Sequence, residues 1–305
     1  MVEAVLEVEK LVKKYGQFRA VDGISFSVPK GKVVGFLGPN GAGKTTTIQV
    51  LLGITLANGG AIRYFGKDFL KDRIYCLQRI NFTSAFNTLL GRISVEENLL
   101  VFAGLYQVKD SKEKIRRLME YFEVADLASE LYFNLSAGQK TRVNLIKSLI
   151  NDPELILMDE PTASLDPDIA DKTLTLIEDM KRERNLTILF TSHNMNEVTR
   201  ICDEVIFLDH GKIVAQDTPA NLTKRIAAAR VRLTFEKDKK ALEQYLREHD
   251  QQFSFPDEGT VIIETQEKLI PKTLFGISKA GIFLTDIEIE KPTLEDVFLQ
   301  IARKE

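Results

Sequence analysis

Apolar and polar residues alternate along Val5-Leu6-Glu7-Val8-Glu9-Lys10-Leu11-Val12 and again over residues 23–28, the period of half-buried strands. The run Val33-Val34-Gly35-Phe36-Leu37 is continuously apolar instead, which suits a strand covered on both faces. Glycines follow it, and a helix is predicted from near Lys44. Strand, glycine loop and helix then form the first βα unit of a parallel sheet. Residues 155–158 and 187–190 read as two more buried strands. A fourth, 204–209, is joined by the turn His210-Gly211-Lys212 to a strand over 213–215. Between roughly 94 and 148 the period becomes helical, with amphipathic stretches around 97–107, 112–122 and 138–150. A helical insertion therefore sits inside an α/β core.

The character changes after Leu222. Strands are predicted over 230–235, 260–264 and 282–289, and helices over 239–247, 267–279 and 293–303. Thr293 is placed to cap the last helix. This order predicts a small α+β appendage, so the expected division is a main domain over 1–222, its helical insertion at about 86–150, and an accessory domain over 223–305.

The glycine loop reads Gly38-Pro39-Asn40-Gly41-Ala42-Gly43-Lys44-Thr45 and fits GxxxxGK[ST]. Glycines let backbone N–H groups turn inward on phosphate oxygens, and a helix N-terminus behind them adds its dipole. Lys44 brings a point charge to the β and γ phosphates, the Thr45 hydroxyl suits Mg²⁺, and Thr46 extends the cradle into the helix. Downstream, Leu155-Ile156-Leu157-Met158 ends in Asp159-Glu160, at the strand end where α/β sheets bind ligands. Asp159 is placed to hold Mg²⁺. Glu160 is placed to orient and deprotonate an attacking water.

With 305 residues, 41 basic against 44 acidic side chains and a net charge of −3, the chain has room for two domains and no bias toward nucleic acid. No stretch of about 18 apolar residues is present, so no span is expected, and the N-terminus lacks the pattern of a secretory signal. The expected location is cytoplasmic. Cys76 and Cys202 stand far apart and read as buried thiols in a reducing compartment, with no histidine spacing that would make a metal site.

The segment Leu135-Ser136-Ala137-Gly138-Gln139 resembles the LSGGQ signature of ABC (ATP-binding cassette) ATPases, with Ala137 in place of the first glycine. The resemblance runs over most of residues 3–222. Walker A is residues 38–45 and Walker B ends at Asp159, followed by Glu160. A D-loop-like Ser164-Leu165-Asp166 and a switch histidine in Thr191-Ser192-His193 follow. Tyr15 stands where the family stacks an aromatic ring on adenine, although by itself it reads equally well as strand packing. The resemblance implies a P-loop NTPase core with a parallel sheet and an antiparallel β subdomain. It implies ATP and Mg²⁺ as ligands, and a head-to-tail dimer, homodimer or cassette heterodimer, closed over two ATPs by Ser136, Ala137, Gly138 and Gln139 of the facing subunit. It further implies a separate transmembrane permease, which would hold the chain on the inner face of the cell membrane. The segment Pro292-Thr293-Leu294-Glu295-Asp296-Val297-Phe298 looks like the tail of cassettes serving ABC-2-type exporters.

One departure stands out. The family carries a glutamine in a loop after Walker A that touches Mg²⁺ and the transport partner, and alignment puts Ala85 there. Gln78 is expected too early and within a strand. Either Ser84 or Asn87 supplies the oxygen, or water completes the metal shell. A soluble ABC-type ATPase outside transport is the alternative, though such chains usually carry two cassettes. A chromosome-maintenance ATPase would need a long coiled coil between Walker A and the signature, which lie only about ninety residues apart without sustained heptads. A nucleotide-dependent regulatory module with little turnover is opposed by Glu160 and His193 but kept open by Ala85.

Overall fold

The apolar run ahead of the glycine loop becomes the strand Val33–Leu37, all five residues of which are buried. The computed structural model describes residues 3–85, 88–163, 165–224, 229–236, 239–290 and 293–302. Val33–Leu37 lies inside a six-stranded sheet ordered Lys212–Asp217, Glu204–Asp209, Val33–Leu37, Thr187–Thr191, Leu155–Asp159 and Ile80–Ser84. The last five strands are mutually parallel and the first is antiparallel to its neighbour. Thr187–Thr191 is buried throughout and Leu155–Asp159 over its first four residues. That explains why these strands read as continuous apolar runs rather than alternating ones.

A second, antiparallel sheet pairs Phe18–Pro29, Ala4–Tyr15, Gly59–Tyr64 and Lys67–Asp68 in that order. Its inward residues Leu6, Val8, Leu11, Val21, Ile24 and Phe26 share one core with Phe36, Ile48 and Leu157 of the parallel sheet's layer. The helical insertion consists of Val95–Leu105, Ser111–Tyr121 and Ala137–Leu149, each within two residues of its predicted start. Ser94 and Ser136 begin the first and third with full capping boxes to Glu97 and Gln139. Both cysteines are buried free thiols, and burial pushes the Cys76 thiol up to about 11 and that of Cys202 higher still. Among the described residues no helix is long and apolar enough to cross a membrane.

One expectation is corrected. Gln78 does not lie in a strand: it ends the helix Arg73–Gln78, and the strand begins at Ile80. A short apolar stretch such as Ile74-Tyr75-Cys76-Leu77 fits either element by pattern alone.

The chain divides into two compact units, Met1–Pro219 and Ala220–Glu305. The second contains an antiparallel sheet ordered Gln252–Ser254, Thr260–Thr265, Ala229–Phe235 and Leu284–Glu290. Val231, Leu233, Val261 and Ile263 of that sheet pack with Leu242, Leu246 and Ile277 of two helices into a core of its own. Gln252–Ser254 is an extra edge strand, too short for a sequence pattern to reveal. Thr293 caps the final helix as expected, its hydroxyl accepting from the Asp296 amide at 3.2 Å while Asp296 Oδ2 accepts from the Thr293 amide at 2.8 Å. Pro292 and Arg303, which the sequence reading included, lie outside the described residues.

Candidate nucleotide site

Val33–Leu37 delivers the chain from the middle of the parallel sheet into residues 38–45. Gly41 and Gly43 sit at φ +84° and +101°, a region other residues enter only at a cost. A Cβ on Gly43 would fall 2.3 Å from the Ala20 carbonyl oxygen, and one on Gly38 2.2 Å from that of Leu208. Glycine is thus required twice over, by conformation and by space. The loop ends in the helix Lys44–Leu51, with Thr45 and Thr46 in its first turn. First-turn amides have no acceptor within their helix, and they face the positive end of its dipole. That is an anion cradle by construction.

Lys44 is only 9% exposed. Its Nζ donates to the carbonyl oxygens of Gly38 at 2.6 Å and Pro39 at 3.1 Å, which holds the charge over the loop. Burial lowers its pKa, and the negative charges of Glu160 and Asp159 oppose that shift. Loop and carboxylates therefore form one electrostatic site.

Asp159 and Glu160 are organised by Thr191 at the end of the adjacent strand. The Thr191 hydroxyl donates to Asp159 Oδ1 at 2.6 Å and accepts from the Glu160 amide at 3.0 Å. Burial raises the Asp159 pKa; the Thr191 hydrogen bond counteracts it, Glu160 adds to it and Lys44 opposes it. The half-buried Asp159 carboxylate, which bears a desolvation cost when charged, and the exposed Thr45 hydroxyl on a helix N-terminus are the hard oxygen donors that Mg²⁺ takes. The residues present fit that ion. Glu160 adopts the left-handed region at φ +50°, which turns its side chain out of the strand direction. Its Oε2 lies 3.0 Å from His193 Nδ1. Glu160 and His193 come together from two neighbouring strand ends, 33 residues apart in sequence.

The other predicted residues have contacts of their own. Ser136 and Gln139 bond to each other, 2.9 Å from the Ser136 amide to Gln139 Oε1 and 3.3 Å in return. Ala137 is the first residue of the helix and carries no positive φ, so alanine is compatible with its conformation. Gly138 is constrained by contact: a Cβ there would approach Ile169 Cγ2 to 2.9 Å. Tyr15 closes the hairpin opposite Phe18 and is 49% exposed, with Lys13 Nζ 4.9 Å from its ring centre; it is not core packing. Asp166 precedes the helix Pro167–Arg184 as its N-cap residue. Ser164 lies outside the described residues, as does Asn87.

The register of the edge strand bears on the missing glutamine. Ile80–Ser84 pairs in parallel with Leu155–Asp159, with Ser84 opposite Asp159. Ala85 thus leaves the sheet at the end that carries the carboxylates. Gln78 precedes the strand at the other end, where its carbonyl oxygen accepts from Asn151 Nδ2 at 2.9 Å.

Sequence reasoning missed Thr191, which it named only as the lead-in to His193 and gave no role of its own. Its hydroxyl acquires its role from pairing in register with Asp159.

Residues 21–163 match the ABC transporter family. Over 310 residues the chain is 32% identical to Nod factor export ATP-binding protein I of Rhizobium sp. (strain N33), covering 100% of this chain and 99% of that one. It is 29% identical over 310 residues to linearmycin resistance ATP-binding protein LnrL of Bacillus subtilis (strain 168), covering 98% of each. A solved nucleotide-free ATP-binding cassette from an ABC transporter superposes with a TM-score of 0.64 at 27% identity, covering 72% of this chain and 94% of that one. Glycine cradle, buried lysine, paired carboxylates and full-length similarity converge: this chain belongs to the ABC transporter ATP-binding proteins, the subunits that bind and hydrolyse ATP.

Proposed function

We propose that the chain energises an exporter by hydrolysing ATP at the cluster Lys44, Asp159, Glu160 and His193, in partnership with a separate membrane-spanning permease. The observation that carries this reading is the 3.0 Å contact between Glu160 Oε2 and His193 Nδ1, at the sheet end that also presents the glycine cradle. Backbone amides of residues 40–46 and the Lys44 ammonium bind the phosphates, with Gly38 and Pro39 shaping the loop, and Tyr15 stacks on the adenine. Thr45 and Asp159 would hold Mg²⁺, which when bound neutralises phosphate charge. Glu160 accepts a proton from the attacking water, and His193 keeps its carboxylate aimed. Ser136, the Ala137 and Gly138 amides, Gln139 and Asp166 belong to the face that closes on the ATP of a second cassette, a copy of this chain or a related one. Binding energy closes that dimer, hydrolysis releases it, and the permease is driven between two states. Residues 1–222 form the motor and 223–305 an accessory domain.

Export is favoured because the Nod factor relative is named for it and aligns over the whole chain, including the second unit. The permease would hold the chain at the inner face of the membrane. Glu160→Gln is the test. It should cut turnover by about 10²–10⁴-fold while leaving ATP affinity intact, and the variant should elute as an ATP-bound dimer on size exclusion. Near-normal hydrolysis removes Glu160 from the role of base.

A further inference from the structure

Three helices of the first unit combine a serine or asparagine N-cap with a glutamate or glutamine at their third residue. In two of them, Glu97 and Gln139 reach back to the backbone amide of the N-cap residue and close a capping box. The third is Met195–Ile201, whose N-cap Asn194 and third residue Glu197 have the same spacing. Glu197 does otherwise. The Asn194 amide goes to Ser192 Oγ at 3.0 Å instead, and Glu197 is 7% exposed.

Its carboxylate ties the two loops of the catalytic pair together. Oε2 accepts from the Thr162 hydroxyl at 2.8 Å and from the Ser192 hydroxyl at 2.7 Å. Oε1 accepts from Asn194 Nδ2 at 3.4 Å. Thr162 stands two residues beyond Glu160, and Ser192 and Asn194 flank His193. These three partners are neutral donors. A carboxylate placed among them bears a desolvation cost that helix capping at the surface would avoid, and Glu97 and Gln139 show that capping was open to it. His193 itself is largely exposed, its side chain 70% accessible, so little packing holds it in place.

We infer that Glu197 is a positioning residue for hydrolysis: its carboxylate clamps the Thr162 and Ser192 loops so that His193 stays in register with Glu160. The inference rests on the proposed roles of Glu160 and His193. The carboxylate is too well enclosed to meet the nucleotide, and it acts through the histidine.

The test is a double-mutant cycle on the full chain, reading kcat, KM for ATP and thermal midpoint. Glu197→Ala should lower kcat about tenfold with KM within twofold. In a His193→Ala background the same substitution should lower kcat by less than twofold, while shifting the midpoint as much as it does alone. Glu197→Gln, whose amide oxygen can still accept from both hydroxyls, should recover most of the lost kcat. Thr162→Val removes one tie without changing side-chain shape and should lower kcat about threefold, which keeps the test open if Glu197→Ala does not fold. Equal fold-losses in the two backgrounds, an equal rise in KM, or unchanged kcat in Glu197→Ala, or in Thr162→Val where the alanine variant does not fold, overturn the inference and leave Glu197 a packing residue. If His193→Ala alone turns over like the wild type, the histidine's role fails and the clamp's purpose with it. That outcome is separable from the others, because it needs no change at residue 197.

Discussion

Ala85 follows the residue that pairs with Asp159, so the side chain missing from the family pattern is missing at the sheet end that carries the carboxylates. Gln78 precedes the strand, which rises about 3.3 Å per residue, and so lies roughly 20 Å from that end along the chain. Gln78 therefore does not substitute for a loop glutamine. Mg²⁺ keeps waters readily where protein oxygens are few, so a methyl at 85 is compatible with turnover. Ala85→Gln should leave ATP affinity nearly unchanged and alter kcat by less than about tenfold, or about 1.4 kcal/mol in barrier. Nucleotide titration and steady-state kinetics on the one variant check both. Loss of hydrolysis in Gln78→Ala with wild-type behaviour in Ala85→Gln would reverse the alignment.

At the scale of elements, the signature helix Ala137–Leu149 is tied to the strand Ile80–Ser84 by a polar knot. Lys147, 8% exposed, donates from Nζ to the Phe82 carbonyl oxygen and to Asn81 Oδ1. Asn81 Nδ2 returns a bond to the Lys147 carbonyl oxygen at 3.2 Å and another to Asn151 Oδ1 at 2.7 Å. The Phe102 ring lies 5.4 Å from Nζ. Burial pulls the Lys147 pKa down to about 8, against roughly 10.4 in an unfolded chain. Below pH 8 both states hold the proton, and the cost of burying the charge is fully present. Between pH 8 and 10.4 the folded state has lost a proton that the unfolded state keeps, so this residue's contribution to stability rises with pH, by about 3 kcal/mol at most. The stability of the wild type relative to Lys147→Met should accordingly improve over that window. Urea midpoints of both proteins at pH 7.5 and 10 measure it; a flat difference means that the ammonium is not desolvated.

Over the whole molecule, the ion pairs, hydroxyl ties and glycine contacts of the nucleotide cluster all fall within the first unit, and the second has a core of its own. A chain ending at Lys224 should still fold and bind ATP with Mg²⁺ within a few-fold of the full-length affinity. Isothermal titration and circular dichroism on the truncated chain decide this. A folded remainder without binding would mean that residues 225–305 contribute to the site.

Sequence alone determined the parts whose physics is local. The run Val33–Leu37 is apolar throughout because both faces of that strand are covered, and the glycines after it answer to φ angles and to the space a Cβ would need. Lys44, Asp159 and Glu160 were legible because a phosphate site demands those residue types at a strand end. The helix start at Thr293 was legible because capping is settled within four residues. What depends on contacts between distant segments was not. Gln78 was misread because a four-residue apolar stretch carries no decisive period, and only the pairing of Ile80 with Leu155 sets where the strand begins. Thr191, Glu197 and Lys147 look like any strand threonine, helix glutamate or helix lysine. Their roles come from which neighbour the folded sheet and helices set beside them, and an uncovered hydroxyl or charge in the sequence carries no mark of the partner that tertiary structure will supply.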